Sequence, residues 1–129
     1  MSLNRTQEGF QAYQRAVALN PYYWLNYNVL GAAYLQIGDC ERARSAFRRV
    51  TELEPGNIDG YENLGAVNLR MGKWNESVGS YEAALKIRPN FAIYSNLATA
   101  YFYLKRYEDA IRMFQHAAEI KPQRRNRCR

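Results

Sequence analysis

The side chains that could carry catalytic or metal chemistry are few in this sequence. His116 is the only histidine, and the two cysteines, Cys40 and Cys128, lie far apart in the chain. A zinc site needs several nitrogen or sulfur ligands, and an activated nucleophile needs a base beside it. Since neither arrangement nor a glycine-rich phosphate loop can be assembled, we predict no catalytic residues, no metal, no cofactor and no small-molecule substrate. We interpret His116 as a solvated surface residue and Cys40 as a small packing residue.

The net charge of +6, from 18 Lys+Arg and 12 Asp+Glu, is concentrated at the carboxyl end. Five of the basic residues and no acid lie in 121–129, which leaves 13 basic and 12 acidic residues over 1–120. The near-neutral body disfavours a nucleic-acid-binding face. The Arg-rich tail could still make weak, salt-sensitive contacts with nucleic acid, although a flexible solubilising end is the preferred interpretation.

The number and distribution of apolar residues indicate whether the chain can form a core and whether a segment could cross a membrane. Apolar residues make up 47% of the chain, which is enough to form a core. No apolar run is long enough to cross a bilayer, so we predict no membrane insertion. No signal peptide is visible at the amino end, so the localisation is unknown, with the cytoplasm favoured. Residues 1–3 could be a cloning remnant.

Four prolines mark a repeating unit. Pro21, Pro55 and Pro89 are spaced by 34 residues, and Pro122 follows after 33. A fixed period of this length indicates a structural repeat. Aligned on the prolines, three units share positions at i, i+3, i+4 and i+7, which is one face of a helix. These positions hold Tyr27, Leu30, Gly31 and Tyr34; Tyr61, Leu64, Gly65 and Asn68; and Tyr94, Leu97, Ala98 and Tyr101.

A second helical face follows in each unit, with its residues at i, i+4 and i+7. The two faces together predict helices over 24–37 and 40–53, 58–71 and 74–87, and 91–104 and 107–120. A matching half unit precedes them and predicts one more helix over 4–19. The second face holds Ala43, Phe47 and Val50; Ser77, Tyr81 and Ala84; and Ala110, Phe114 and Ala117.

Small residues and turns support this interpretation. Gly31 and Gly65 would let paired helices approach closely, and we interpret the aromatic residues of the repeat, Tyr13 and Phe114 among them, as packing residues. Gly38 and Gly72, just after the first helices of the first two units, can adopt the left-handed conformation that ends a helix. Lys105 replaces this glycine in the third unit, so we expect strain of up to roughly 1 kcal/mol or another turn geometry there.

The period and these motifs resemble the tetratricopeptide repeat family. The resemblance implies an all-α fold, a right-handed α-solenoid of antiparallel helix pairs. It indicates three full repeats after a half repeat, in what is interpreted as a fragment of a longer array. The implied segments are 4–21 for the half repeat; 24–57, 58–90 and 91–122 for the three repeats; and 123–129 for the basic tail.

The resemblance also implies a binding surface, because the first helix of each pair lines the concave face in this family. Asparagines at equivalent places there could hydrogen-bond an extended peptide backbone, since an amide both donates and accepts. We therefore predict a non-catalytic protein–protein interaction scaffold that binds a peptide or helix of an unidentified partner. The candidate binding residues are Asn28, Leu35, Asn63, Leu69, Arg70, Asn96, Thr99, Phe102 and Tyr103.

Two alternatives stay open beside this prediction. Uncapped ends of a solenoid could stack on other copies, which would give a homo-oligomer, and the Arg-rich tail could contact nucleic acid. A chaperone-type carboxylate clamp is disfavoured, because Asn28, Ala32, Ala92 and Asn96 stand where all but one of its residues would be. Only Asn63 matches, and a carboxylate without a cation opposite it loses its charge-assisted bonds.

Overall fold

A computed structural model describes residues 2–120 of the chain, with side chains described from Arg5 onward. The predicted basic tail at 123–129 and the role suggested for Met1 lie outside the described residues, so both stay predictions. The described part of the chain forms seven helices: α1 (Ser2–Leu19), α2 (Trp24–Gln36), α3 (Cys40–Leu53), α4 (Ile58–Arg70), α5 (Trp74–Ile87), α6 (Phe91–Tyr103) and α7 (Tyr107–Ile120).

The predicted all-α fold class is confirmed. Over 2–120 every regular element is a helix, and each helix from α2 to α7 begins at its predicted residue and ends within one residue of the predicted end. Three-residue turns join α2 to α3 and α6 to α7, and the two helices of each pair pack on one another. Helices joined by so short a turn run antiparallel.

Two compact units make up the described chain, and their boundary lies within α4, between Gly60 and Tyr61. The first unit holds α1, α2 and α3. The second holds most of α4 together with α5, α6 and α7.

In the first unit, α2 packs between α1 and α3. The Phe10 ring of α1 lies 5.1 Å from that of Tyr34 on α2, and the Gln14 side-chain amide donates to the Tyr34 hydroxyl at 3.3 Å. Also on α2, a Cβ atom on Gly31 would come within 2.7 Å of the Phe47 ring of α3. Phe47 is only 2% exposed, and burying such a ring stabilises the unit by about 2 kcal/mol.

The second unit repeats this arrangement with different side chains. Tyr81 of α5 covers Gly65 of α4, where an added Cβ atom would lie 2.8 Å from the ring. The Ser77 hydroxyl donates to the Gly65 carbonyl at 3.1 Å, so this buried polar group has a hydrogen-bond partner. Ile93 and Leu97 of α6 are almost fully buried in the core of the unit.

The third repeat keeps the left-handed turn although Lys105 replaces its glycine. Gly38 and Gly72 have φ angles of 86° and 73°, and Lys105 adopts 66° at the equivalent place. A side chain at positive φ costs on the order of 1 kcal/mol relative to glycine. The expectation of strain is therefore confirmed, and the alternative of a different turn geometry is not.

The packing role predicted for Phe114 is wrong, because its ring is 48% exposed. Its equivalents Phe47 and Tyr81 lie over Gly31 and Gly65, whereas the residue equivalent to those glycines in the third repeat is Ala98. Tyr13 is also exposed, at 37%. Phe47 and Tyr81, the equivalents of Tyr13, pack on the first helix of their own pair. The described residues contain no such helix before α1.

Candidate functional site

The predicted binding residues lie on the first helix of each pair. Asn28 and Leu35 lie on α2 of the first unit and are half-buried. The other seven belong to the second unit. Half-buried Asn63 and Leu69 and exposed Arg70 lie on α4, and Asn96, Thr99, Phe102 and Tyr103 lie on α6.

Helix α6 buries one face in the core of the unit and leaves two large aromatic residues at its carboxyl end exposed. Leu97, Ala98 and Tyr101 are at most 6% exposed, whereas Phe102 and Tyr103 are 52% and 54% exposed. The exposed aromatic surface of α6 is therefore more than the packing of the unit requires.

A polar cluster connects α4, α5 and α6 in the second unit. The Asn90 side-chain amide donates to the Glu62 carboxylate at 2.7 Å, and the Asn90 side-chain oxygen accepts from the Ile93 N–H at 2.9 Å, which caps α6. The Tyr81 hydroxyl is buried and makes no hydrogen bond of good geometry within the described chain. Its polar neighbours are Asn96 and Glu62.

The surroundings of Tyr81 change its titration. Burial raises the pKa of its hydroxyl to about 12; the neighbouring Asn96 side chain lowers the pKa, and the charge of Glu62 raises it further. Asn96 therefore has a structural neighbour as well as a predicted binding role. An amide has two donor hydrogens and two acceptor lone pairs, so the contact with Tyr81 leaves it capacity for further bonds.

Thr99 is held by its own helix. Its hydroxyl donates to the Ser95 carbonyl at 3.0 Å, which fixes the side-chain rotamer and leaves the oxygen able to accept a hydrogen bond. A partner could thus use Thr99 as an acceptor without breaking the bond to Ser95.

Four aromatic rings form a continuous cluster around the α4–α5 and α6–α7 turns. The Trp74 and Tyr103 rings are stacked, with centroids 4.4 Å apart and planes at 10°. Phe102 meets Tyr103 edge to face at 5.5 Å and Tyr107 at 5.6 Å. Phe102, Tyr103 and Tyr107 are each more than half exposed. Trp74 and Tyr107 occupy the repeat position of Cys40, and the repeat pattern did not predict that they would join Phe102 and Tyr103.

The first unit contains a groove of about 380 Å³ between α2 and α3, lined in part by Tyr27, Arg42 and Arg49. Both arginines already have anionic partners. Arg42 lies 3.7 Å from the Asp39 carboxylate, and Arg49 lies 3.1 Å from Glu52. The bond to Glu52, followed by that to Tyr27, raises the pKa of Arg49. The groove therefore offers no uncompensated cation to an anionic ligand.

His116 is a surface residue, as predicted, although its ring has a defined neighbour. The ring stacks on Tyr94 with centroids 5.1 Å apart, and its Nδ1 atom lies 3.7 Å from the exposed Glu119 carboxylate. Over residues 2–120, no group of three His, Cys, Asp or Glu side chains is arranged to hold a metal ion. Nor does any helix in this range have the length and apolar character needed to span a bilayer.

Comparison with protein families gives a specific match. One tetratricopeptide repeat profile matches residues 58–123, and a second matches residues 26–57. Together they cover the three predicted repeats almost completely.

Curated relatives match over part of the chain. Protein CTR9 homolog from Arabidopsis thaliana is 31% identical over 101 residues, covering 78% of this chain and 9% of the relative. Serine/threonine-protein phosphatase 5 from Rattus norvegicus is 30% identical over 84 residues, covering 65% and 17%. Heat shock protein STI1 from Saccharomyces cerevisiae is 33% identical over 67 residues, covering 52% and 11%. The chain thus spans less than a fifth of the length of these relatives.

Solved structures show the same fold. Two crystal structures of MamA superimpose with TM-scores of 0.85 and 0.88 at 24% identity. Both alignments cover 98% of this chain, and they cover 69% and 74% of the MamA chains. At this identity the similarity concerns the fold alone. The repeat period, the helix pairs and the profile matches agree, and the chain belongs to the tetratricopeptide repeat family of protein-interaction modules.

Proposed function

We propose that α4 and α6 carry a peptide-binding surface for a protein partner. Its residues in the second unit are Asn63, Leu69, Arg70, Asn96, Thr99, Phe102 and Tyr103, and we call this set the α4–α6 surface. Leu35 on α2 is the first-unit equivalent of Leu69 and Phe102, and Asn28 lies two turns before it on the same helix. The bound segment is an extended peptide or a helix, and no catalysis is involved.

The observation that carries this proposal is the exposed aromatic surface of α6. Phe102 and Tyr103 are more than half exposed, although packing has buried Leu97 and Tyr101 on the same helix. Exposed apolar patches on a protein surface commonly mark interaction sites. Aromatic residues are also enriched where binding energy is concentrated, because each ring buries a large area at a low entropic cost.

Amide and hydroxyl groups would set the register of a bound chain. Asn63 and Asn96 occupy equivalent repeat positions on α4 and α6, and Thr99 keeps an acceptor available. Backbone groups of an extended peptide need donors and acceptors of this kind when they leave water. We infer that the asparagines bind the peptide backbone while Leu69, Phe102 and Tyr103 contact its side chains.

The named relatives are consistent with a protein partner but do not identify one. They include heat shock protein STI1 and, from Triticum aestivum, the Hsp70-Hsp90 organizing protein, which is 29% identical over 83 residues. The clamp positions of this chain hold Asn28, Ala32, Ala92 and Asn96, and none of these is a cation. We therefore propose a partner other than a chaperone carboxylate tail bound through that clamp.

Selection of displayed random peptides on the whole chain, followed by affinity measurement, tests this proposal. Phe102→Ala should weaken the selected peptides about tenfold, as expected for an aromatic anchor. Asn63→Ala combined with Asn96→Ala should also weaken them. Phe114→Ala is the matched control, because this ring is similarly exposed on α7 but lies outside the α4–α6 surface. Equal affinities for the parent chain and Phe102→Ala would overturn the proposal.

Self-association is a second candidate function, and exposed residues of α7 favour it. Ile111 and Phe114 are three residues apart, so they share a face of α7, and they are 54% and 48% exposed. A second copy could cover this face. Light scattering across a concentration series tests the idea, with Ile111→Lys as the disrupting variant. A mass that stays monomeric at every concentration would dismiss it.

A further inference from the structure

The ring cluster at the α4–α5 and α6–α7 turns is accompanied by positive charge. The segments 70–74 and 102–107 contain four basic residues and no acid. Arg106 is already engaged, because its guanidinium lies 4.5 Å from the centre of the Tyr101 ring and 2.9 Å from the Asp109 carboxylate. The remaining cations are Arg70, Lys73 and Lys105, and none of them forms an ion pair within the described part of the chain.

We call this surface the aromatic–basic edge: Trp74, Phe102, Tyr103, Tyr107, Lys73 and Lys105. The nearest carboxylates in the sequence belong to Glu76 and Glu108, in the first turns of α5 and α7. These acids interact favourably with the amino ends of their helices. The turns themselves therefore present ring edges and ammonium groups.

Neither the rings nor the cations are needed for the repeat geometry. The equivalent turn of the first unit, at 36–40, contains Asp39 and no aromatic or basic residue, and it adopts the same left-handed conformation at Gly38. Lys105 holds a φ of 66° where the other two turns have glycine. A strained residue that replaces the favoured glycine points to a role for its side chain.

We propose that the aromatic–basic edge binds an acidic, extended peptide segment in which carboxylates flank an apolar or aromatic residue. This inference rests on the proposed function and names the partner chemistry at one end of the α4–α6 surface. The apolar residue would pack on Phe102 and Tyr107. The carboxylates would pair with Lys73 and Lys105, and the positive edges of the stacked rings would favour the same charge.

The observations favour an acidic peptide over single-stranded nucleic acid. Bases bind by stacking on open ring faces along a basic groove. Here Trp74 and Tyr103 stack on each other, which occupies one face of each ring. The body of the chain is also nearly neutral, so it lacks the extended positive field that nucleic-acid binding requires.

The test uses the whole chain and two labelled peptides, SDEFPDES and its amide counterpart SNQFPNQS. We expect the acidic peptide to bind more tightly, with an affinity that falls as salt is raised. Lys73→Gln combined with Lys105→Gly should weaken the acidic peptide about tenfold and leave the amide peptide unchanged. Lys86→Gln combined with Arg88→Gln is the charge-matched control at the other end of α5, and it should change neither affinity.

Folding and location are checked separately. Lys105→Gly removes the Cβ atom from a position whose φ is positive, which relieves backbone strain. The double variant should therefore unfold no more easily than the parent chain. In a Trp24→Phe background, Trp74 is the remaining tryptophan, and its fluorescence should change when the acidic peptide binds.

Equal binding of the two peptides would overturn the acidic preference while leaving the α4–α6 surface as a peptide site. Binding of the acidic peptide that does not depend on Lys73 and Lys105, or tighter binding of a uridine oligonucleotide of matched length, would also overturn the inference. The proposed function is judged independently, by Phe102→Ala against peptides selected without regard to charge.

Discussion

The space that a Cβ atom on Gly65 would need is taken by the Tyr81 ring, whose Cε2 atom lies 2.8 Å from that position. Gly31 and Phe47 repeat the relationship at 2.7 Å in the first unit. In both places the glycine allows close contact between the two helices of a pair. The third repeat has Ala98 in place of the glycine, and Phe114, the equivalent of Phe47 and Tyr81, is half exposed.

Gly65→Ala should therefore destabilise the fold by about 2 kcal/mol, because the ring of Tyr81 or the helix backbone must shift to admit the methyl group. The measurement is the free energy of unfolding from denaturant titration. Gly79→Ala is the matched control, since a Cβ atom there meets nothing within 4 Å and the residue lies inside α5. That change should stabilise the chain by up to about 1 kcal/mol through helix propensity. Similar effects at the two glycines would contradict the packing argument.

Lys105→Gly should be more stable than Lys105→Ala by about 1 kcal/mol. Both variants remove the charge, but only glycine relieves the cost of a Cβ atom at a φ of 66°. Thermal or denaturant unfolding of the two variants provides the comparison. Equal stabilities would mean that the turn accommodates a side chain without strain.

Tyr81 should make the stability depend on alkaline pH. Burial raises its pKa from 10.0 to about 12 in the folded chain, so the folded state holds this proton more tightly than the unfolded state. The resulting stabilisation, on the order of 2 kcal/mol, is complete below pH 10 and is lost as the pH rises towards 12. Unfolding free energies of the parent chain and Tyr81→Phe across this range measure the effect. The phenylalanine variant should show a smaller decline, and an identical decline would assign it to other groups.

Tyr101 should also make the stability of the fold decrease at alkaline pH. Burial first, and then the neighbouring Glu82 carboxylate, raises its pKa, and its hydroxyl donates to Glu82 at 3.2 Å. A Tyr101→Phe variant therefore serves as the second arm of the alkaline experiment.

Asn90 has two separable roles, and three substitutions distinguish them. Asn90→Ala should cost about 1–2 kcal/mol, because it removes both the cap of α6 and the bond to Glu62. Asn90→Ser should keep the cap and cost less. Asn90→Asp should also keep the cap but place two carboxylates together at neutral pH.

The repulsion in Asn90→Asp should disappear in the Glu62→Gln background or when the pH is lowered enough to protonate a carboxyl group. Denaturant unfolding at neutral and acidic pH measures this. An aspartate variant that remains as stable as the parent chain at neutral pH would show that the Glu62 contact is unimportant.

The helices were predictable because their signals are local. Pro55 and Pro89 mark the ends of second helices, and the i, i+3, i+4 and i+7 pattern marks the buried faces. These signals placed the starts of α2 to α7 correctly. Lys105 was recognised as a strained position for the same reason, since the φ of a turn residue depends on its immediate neighbours.

The side-chain clusters were less predictable because they depend on rotamers and on contacts between distant helices. Periodicity places Trp74 and Tyr107 in equivalent slots, but it does not reveal that Trp74 stacks on Tyr103. The bond from Asn90 to Glu62 joins residues 28 positions apart in the sequence. Nor does periodicity reveal that Phe114 is exposed while its equivalents Phe47 and Tyr81 are buried.

The two tryptophans are divided between the two compact units, Trp24 in the first and Trp74 in the second. Replacing either one with phenylalanine leaves an optical probe of the other unit. Coincident transitions in the two variants would show that the repeats melt as one cooperative block. Separate transitions would show that one half can lose its structure while the other remains intact, as nearest-neighbour coupling allows in repeat proteins.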